Sequence, residues 1–205
     1  MSQESIDIRT VIDETSVHIR LLNREDRSAL VKVASHPDIY SNVYTIRHPF
    51  GGADADQWIS RSTIGQQNSS EVLLALVDKE TGRYFASVNY HRTDLVFHSG
   101  RSGEMELGFW IEPRYQRRGF VRSAIALSLS EAVPKLKPRY LMATASEQNI
   151  PSQRLLCSIG FKCQKKMNVK QSDGLLRPTL LYHMSTEDAL LWAEAHLELL
   201  GLPIQ

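Results

Sequence analysis

Glu106-Leu107-Gly108-Phe109-Trp110-Ile111-Glu112-Pro113-Arg114-Tyr115-Gln116-Arg117-Arg118-Gly119-Phe120-Val121-Arg122 reads as a strand that stops at a proline, then a short basic loop, then a helix opening at a glycine. Pro113 has no N–H to offer a sheet ladder, which ends the strand. The first N–H groups of a helix have no partner inside it and carry partial positive charge, so they suit a phosphate. Gly119 lets backbone approach such an anion closely. Arg114, Arg117, Arg118 and Arg122 add positive charge, opposed by Glu112 alone. Taken alone, these residues fit two descriptions: an anion-binding turn, or a solvated basic connection.

On either side the pattern is regular. Val17 to Leu21 alternates apolar and polar residues, as a half-buried strand does. Asn23 is placed to cap a helix reaching about Ser35, with Glu25 and Asp26 in its first turn. A loop runs to about Gly52, and a helical pattern around Trp58 covers about 54 to 64. Strands are expected at Val72 to Val77, Tyr84 to His91 and Glu104 to Ile111, the first two joined by Lys79-Glu80-Thr81-Gly82. After the helix from about Gly119 to Val133 come a strand (Tyr140 to Thr144), a helix (Ile150 to Ile159) and a strand (Phe161 to Val169). A turn at Asp173-Gly174 then leads to a last strand, Thr179 to Met184, and a closing helix from about Thr186 to Gly201. Strands that adjoin directly favour antiparallel pairing, while strand-helix-strand in the middle favours a parallel pair. The expected fold is α/β (α+β): a mixed, mostly antiparallel sheet of about seven strands with helices on both faces. Residues 1 to 15 read as a loose leader, and 16 to 205 as one domain.

Composition narrows the function classes. The 24 basic and 23 acidic side chains of the 205 residues nearly cancel, so no general basic surface points to nucleic acid or an anionic membrane. No apolar run approaches bilayer length, and Met1-Ser2-Gln3-Glu4 lacks the features of a signal peptide; the expected location is cytoplasmic. The seven histidines form no helical metal-ligand spacing, so no metal is expected. Cys157 and Cys163 lie in apolar segments and read as buried free thiols.

Gln116-Arg117-Arg118-Gly119-Phe120 resembles the (Arg/Gln)-x-x-Gly-x-(Gly/Ala) loop with which the GNAT superfamily of N-acetyltransferases grips the pyrophosphate of CoA. Glu-Leu-Gly-Phe-Trp-Ile before it looks like that family's central strand. Asn149-Ile150-Pro151-Ser152-Gln153-Arg154-Leu155-Leu156 with Gly160-Phe161 resembles its later helix and turn. The opening strand with Asn23-Arg24-Glu25-Asp26 looks like its beginning. The similarity runs from about Val17 to Trp192 and is nearest to the branch that acetylates N-termini of ribosomal proteins. One departure is Val121, where the family carries a small residue; a branched side chain there would crowd the phosphate or the helix–strand contact.

The resemblance implies acetyl-CoA as acyl donor and an amine as acceptor. It implies that N–H groups of Arg117, Arg118, Gly119, Phe120, Val121 and Arg122, with Gln116, hold the pyrophosphate. Backbone groups of Phe109, Trp110 and Ile111 would pair with the pantetheine arm as an added strand does, and one of their N–H groups would serve a tetrahedral oxyanion. Asn149, otherwise a helix N-cap, and Ser152 would complete the donor site. The acceptor would enter between residues 36 to 52 and the hairpin around Gln171 to Leu176, where Tyr40, Asn42, Tyr44 and His48 are candidate lining residues.

Acetyl transfer needs a neutral amine and a leaving thiolate that acquires a proton. An α-amine, with a pKa near ~8, is about 300-fold more available at neutral pH than a lysine near ~10.4. An N-terminal acceptor therefore needs only light base assistance. Glu106 is the first candidate for that base, on one strand face with Glu104 and Gly108. Ser152 and Tyr182 are the candidates to stabilise the thiolate. The leading reading is acetylation of a protein or peptide N-terminus by direct attack in a ternary complex. The alternatives are a small amine (aminoglycoside, amino acid or polyamine) and a non-catalytic acyl-CoA-binding module. Leu190, Ala193, Leu197 and Leu200 share one face of the closing helix, packed on their own domain in a monomer or left open for a homodimer.

Overall fold

The computed structural model describes residues 10–12, 17–92 and 103–201. Its strands are β1 (Thr10–Ile12), β2 (Val17–Leu21), β3 (Glu71–Asp78), β4 (Tyr84–Arg92), β5 (Glu104–Ile111), β6 (Tyr140–Ser146), β7 (Lys162–Lys170) and β8 (Leu176–Ser185). The helices are α1 (Arg27–Ala34), α2 (Pro37–Tyr40), α3 (Gly52–Asn68), α4 (Phe120–Leu136), α5 (Ile150–Ile159) and α6 (Thr186–Leu199). The strands form one sheet in the order β1-β2-β3-β4-β5-β6-β8-β7, antiparallel throughout except for the parallel β5–β6 pair. The mixed sheet with helices on both faces is therefore as expected.

β3 shows how the layers form. Its Val72, Leu74 and Leu76 belong to one core, with Ala124, Ile125 and Leu129 of α4. Leu73, Ala75 and Val77 belong to the other, with Leu30 of α1 and Trp58 of α3. Successive strand side chains point to opposite faces, so a run apolar at every position needs a helical layer on each side. Each Val, Leu and Ile among them contributes about 1.5–3 kcal/mol on full burial. Across the second core Trp58 meets Trp110 edge-on at 5.1 Å, and the Trp110 indole donates to the Tyr84 hydroxyl at 2.7 Å.

The differences from the sequence reading have local causes. Thr10–Ile12, inside the expected loose leader, pairs with β2. Asn23 caps a 3-10 turn, Arg24–Asp26, ahead of α1, accepting from the Glu25 N–H, while Asp26 is held by Arg20 at 2.7 Å. The expected loop before Gly52 contains α2, whose Pro37 starts a helix as readily as it ends the one before. Most of the loop expected at 92 to 103 lies outside the described residues. Both cysteines are exposed and free rather than buried: Cys157 faces away from the stripe of α5 that buries Leu156 and Ile159, and β7 is an edge strand. In α6, Ala193 and Leu197 are buried in the core shared with α4, with Leu190 packed against it, so the stripe is largely covered within the chain.

The decisive feature for the site is where β5 and β6 part. Their pairing covers only Glu104–Tyr140, Met105–Leu141 and Glu106–Met142. β5 continues to Ile111 on β4 and β6 to Ser146 on β8, with no register between them. Backbone groups of β5 beyond Glu106 that face away from β4 therefore have no strand partner.

Candidate active site

A cleft of about 610 Å³ fills this gap. The strand and loop residues Phe109, Trp110, Ile111 and Gln116 to Arg122 border it, as do Asn149, Ser152 and Glu106. Of the catalytic and donor-site candidates singled out in the sequence, the structure thus brings all but one to the cleft. The exception is Tyr182, which is 2% exposed within the core and does not border the cleft. Burial, and then the nearby thiols of Cys157 and Cys163, push its phenol up.

At one end stands the basic turn. After the 3-10 turn Pro113–Tyr115 the chain adopts positive φ at Arg117 (63°) and Gly119 (81°), and α4 begins at Phe120. Among the described residues, no intramolecular hydrogen bond uses the N–H groups of Arg117 to Arg122; the first is Ser123 N–H to the Gly119 carbonyl, 3.0 Å. A Cβ at Gly119 would meet nothing within 4 Å, so this surface is open. Arg114 is paired with Glu112 at 3.0 Å, whereas the Arg118 guanidinium lies 4.6 Å over the Phe120 ring. Val121 is 6% exposed and packs in the core while bordering the cleft. Backbone donors, a helix N-terminus and exposed arginines on one surface fit a pyrophosphate.

α5 supplies the facing wall. Pro151 in its first turn needs no N–H partner, and Asn149 accepts from the Ser152 N–H at 3.2 Å. Asn149 is therefore an N-cap on the rim of the cleft, and Ser152 stands half-buried beside it.

At the other end Glu106 is 2% exposed. Its Oε2 accepts from the Tyr44 hydroxyl at 2.9 Å and from His91 Nε2 at 3.1 Å, and its Oε1 accepts from the Thr144 hydroxyl at 2.9 Å. The Asn89 amide nitrogen lies 3.4 Å from His91 Nδ1, and the carboxylate at Nε2 calls for the ring proton there. Asn89 lies against Gly108, where a Cβ would come within 2.6 Å of the Asn89 Oδ1. Burial, then the charge of Glu106 and the hydrogen bond to it, push the Tyr44 phenol well up.

Sequence reasoning missed His91, Asn89 and Thr144. The signal was Ser87, Asn89 and His91 at alternate positions of an otherwise apolar strand: polar residues with period two on a strand covered on both faces. Tyr44 and Asn42 of the expected acceptor loop border the cleft; Tyr40 and His48 instead stack on each other at 3.9 Å. The β7–β8 hairpin closes over this loop, with Ser172 Oγ donating to the Ile46 carbonyl at 2.6 Å and Arg177 to the Ser41 carbonyl at 3.3 Å. Among the described residues no His, Cys, Asp and Glu group could hold a metal ion, and no helix is long and apolar enough to cross a membrane.

The arrangement has known counterparts. Ribosomal-protein-S5-alanine acetyltransferase from Vibrio fischeri superposes with a TM-score of 0.73 at 16% identity, over 89% of this chain and 98% of that one. RimJ of Mycobacterium smegmatis, in complex with CoA-disulfide, gives 0.71 at 17% identity over 90% and 89%. YncA from Salmonella typhimurium, a putative acetyltransferase with its cofactor acetyl-CoA, gives 0.65 at 18% over 83% and 94%. No curated protein matches the chain by sequence. The family model described as the acetyltransferase (GNAT) domain matches residues 16–162. A sheet splayed at β5 and β6, with an unpaired N–H row at the start of α4, thus belongs to a member of the GNAT family, an acetyl-CoA-dependent acetyltransferase.

Proposed function

We propose that this enzyme acetylates the α-amine of a protein or peptide N-terminus, by direct attack on the thioester within one ternary complex. The observation that carries the reading is the continuity of the cleft, from the N–H row at Arg117 to Arg122 through Ser152 to Glu106 and Tyr44. Donor and acceptor then meet without a covalent enzyme intermediate. The relative named for ribosomal-protein-S5-alanine acetylation shares the fold, which lends support to a protein N-terminus.

In this reading the N–H groups of Arg117 to Arg122 hold the pyrophosphate, and the free edge of β5 at Phe109 to Ile111 takes the pantetheine arm as a strand would. The thioester carbonyl then lies beside the β5 backbone, where an N–H serves the oxyanion. The amine enters between residues 36 to 52 and the Gln171–Leu176 hairpin and loses its proton toward Glu106. The Ser152 hydroxyl, on the donor side, hydrogen-bonds the leaving thiolate; with a thiol pKa near ~8.5 no strong acid is needed.

The test is incubation with acetyl-CoA and a panel of N-terminal peptides, lysine peptides, polyamines and aminoglycosides at pH 6 to 9, recording thiol release and acceptor mass together. A 42-dalton class of mass gain (about one acetyl group) on the α-amine is expected, falling below pH ~8 as the amine protonates. Mass gain confined to small amines would replace the peptide by a small-molecule acceptor. CoA binding with no transfer to any amine would leave only an acyl-CoA-binding module.

A further inference from the structure

The Glu106 carboxylate is 2% exposed, and both its oxygens already accept hydrogen bonds, three in all. An amine in the cleft has no open approach to it, so a proton bound for Glu106 must pass through one of its donors. His91 is 7% exposed, its Nε2–H is spent on Glu106 and its Nδ1 faces the Asn89 amide. Thr144 stands on β6 and donates to the other oxygen, Oε1, on the far side of the gap from the loop that admits the amine. Tyr44 also donates to Glu106, and His91 and Thr144 border the cleft as it does, but Tyr44 donates from a hydroxyl oxygen that can take one proton as it gives another. It belongs to the entrance loop, is half-buried, borders the cleft and holds its hydroxyl 2.9 Å from Oε2.

We propose that Tyr44 is a catalytic residue that relays the acceptor amine's proton to Glu106. As the amine lone pair forms the C–N bond to the thioester carbonyl carbon, the N–H bond breaks and its proton goes to Tyr44 Oη. The hydroxyl proton of Tyr44 passes in the same motion to Glu106 Oε2, so no free phenolate forms. The C–S bond breaks with its electron pair on sulfur, which takes a proton from solvent. The proton on Glu106 then returns to solvent through Tyr44. Glu106 is the terminal acceptor and acts through Tyr44, while His91 and Thr144 orient its carboxylate. The inference rests on amine acetylation at this site and not on which amine is used.

Two measurements test it. The first follows tyrosine ring carbons by NMR against pH, with the Tyr44 signal assigned from Tyr44→Phe. In the wild type Tyr44 should stay protonated beyond the ordinary tyrosine range of about 10, and in Glu106→Gln it should titrate lower. A Tyr44 that ionises normally in the wild type would overturn the relay, whatever the acceptor proves to be. The second measures kcat from pH 6 to 9 on whichever amine of the panel is acetylated, with acetyl-CoA binding measured alongside. Tyr44→Phe and Glu106→Gln should each lower kcat about 100-fold, and the double variant should be no worse, since the two act as one unit. Acetyl-CoA binding should not move. A Tyr44→Phe enzyme within twofold of the wild type, or losses that multiply in the double variant, would overturn the relay. If a small amine is turned over and peptides are not, the peptide reading falls and the relay is judged on that amine. Transfer to no amine overturns both.

Discussion

Ser152 and Tyr182 were equal in kind as sequence candidates, and the fold separates them. Ser152 borders the cleft, whereas Tyr182 is enclosed in the core. Ser152→Ala should lower kcat about 10- to 100-fold with little change in acetyl-CoA binding, while Tyr182→Phe should stay within about twofold. Steady-state kinetics and equilibrium binding on both variants decide between them. The reverse ranking would return the tyrosine to the mechanism. Gly108 is a second case where one atom matters. A Cβ there would press to 2.6 Å on Asn89, which holds His91, which in turn holds Glu106. Gly108→Ala should therefore cost about 1–3 kcal/mol by overpacking and lower kcat as well. Thermal unfolding should show partial recovery when Asn89→Ala is added, because the clash is removed while the contact to His91 stays lost.

At the scale of an element, α5 joins a cap and a proposed donor contact in one residue. Asn149 caps the helix through its Oδ1; the proposed donor contact would use its amide N–H groups. Asn149→Ala should cost about 1 kcal/mol of stability, or about 2–4 °C of melting temperature for a chain of this size. Asn149→Ser restores a capping oxygen but not the N–H donors. If the donors hold the pantetheine arm, the serine variant will melt like the wild type and still bind acetyl-CoA more weakly. Equal binding would reduce Asn149 to a cap. Element boundaries in general were legible where a cap or proline marks them, as for Glu104–Ile111 and Ile150–Ile159, which were read to the residue. β8 begins three residues before the expected Thr179, because its pairing with β7 extends to Leu176. A hairpin ladder is set by the partner strand and leaves no mark in the composition of its outermost residues.

Across the whole molecule, α4 and α6 form the layer beneath the basic turn, and His196 sits between them. Its ring stacks on Trp192 at 5.3 Å, and burial, then the charge of Arg122, hold its pKa below the usual value. The folded state therefore resists a proton that the unfolded chain accepts near pH 6.5. Stability should fall as pH drops below about 6.5, since the unfolded state binds more protons there. His196→Gln should flatten that part of the profile. Melting temperatures from pH 5 to 8 for both proteins check the sign; a wild type that grows more stable on acidification would refute it.

The sequence by itself determined the layer plan and the local geometry of the proposed donor end. Apolar runs such as Val72 to Val77 demand cover on both faces, and Pro113, the arginines and Gly119 encode a basic strand-to-helix turn within a few consecutive residues. These are local signals, carried by period, charge and backbone geometry. Only the tertiary structure assembled the proposed acceptor end. Tyr44, His91, Glu106 and Thr144 come from a loop and three strands, up to 100 positions apart, and meet because β4 pairs with β5 while β5 and β6 splay after Glu106. Hydrogen bonds between residues so distant in the chain depend on register and on where the sheet opens, and neither is written in the residues that make them.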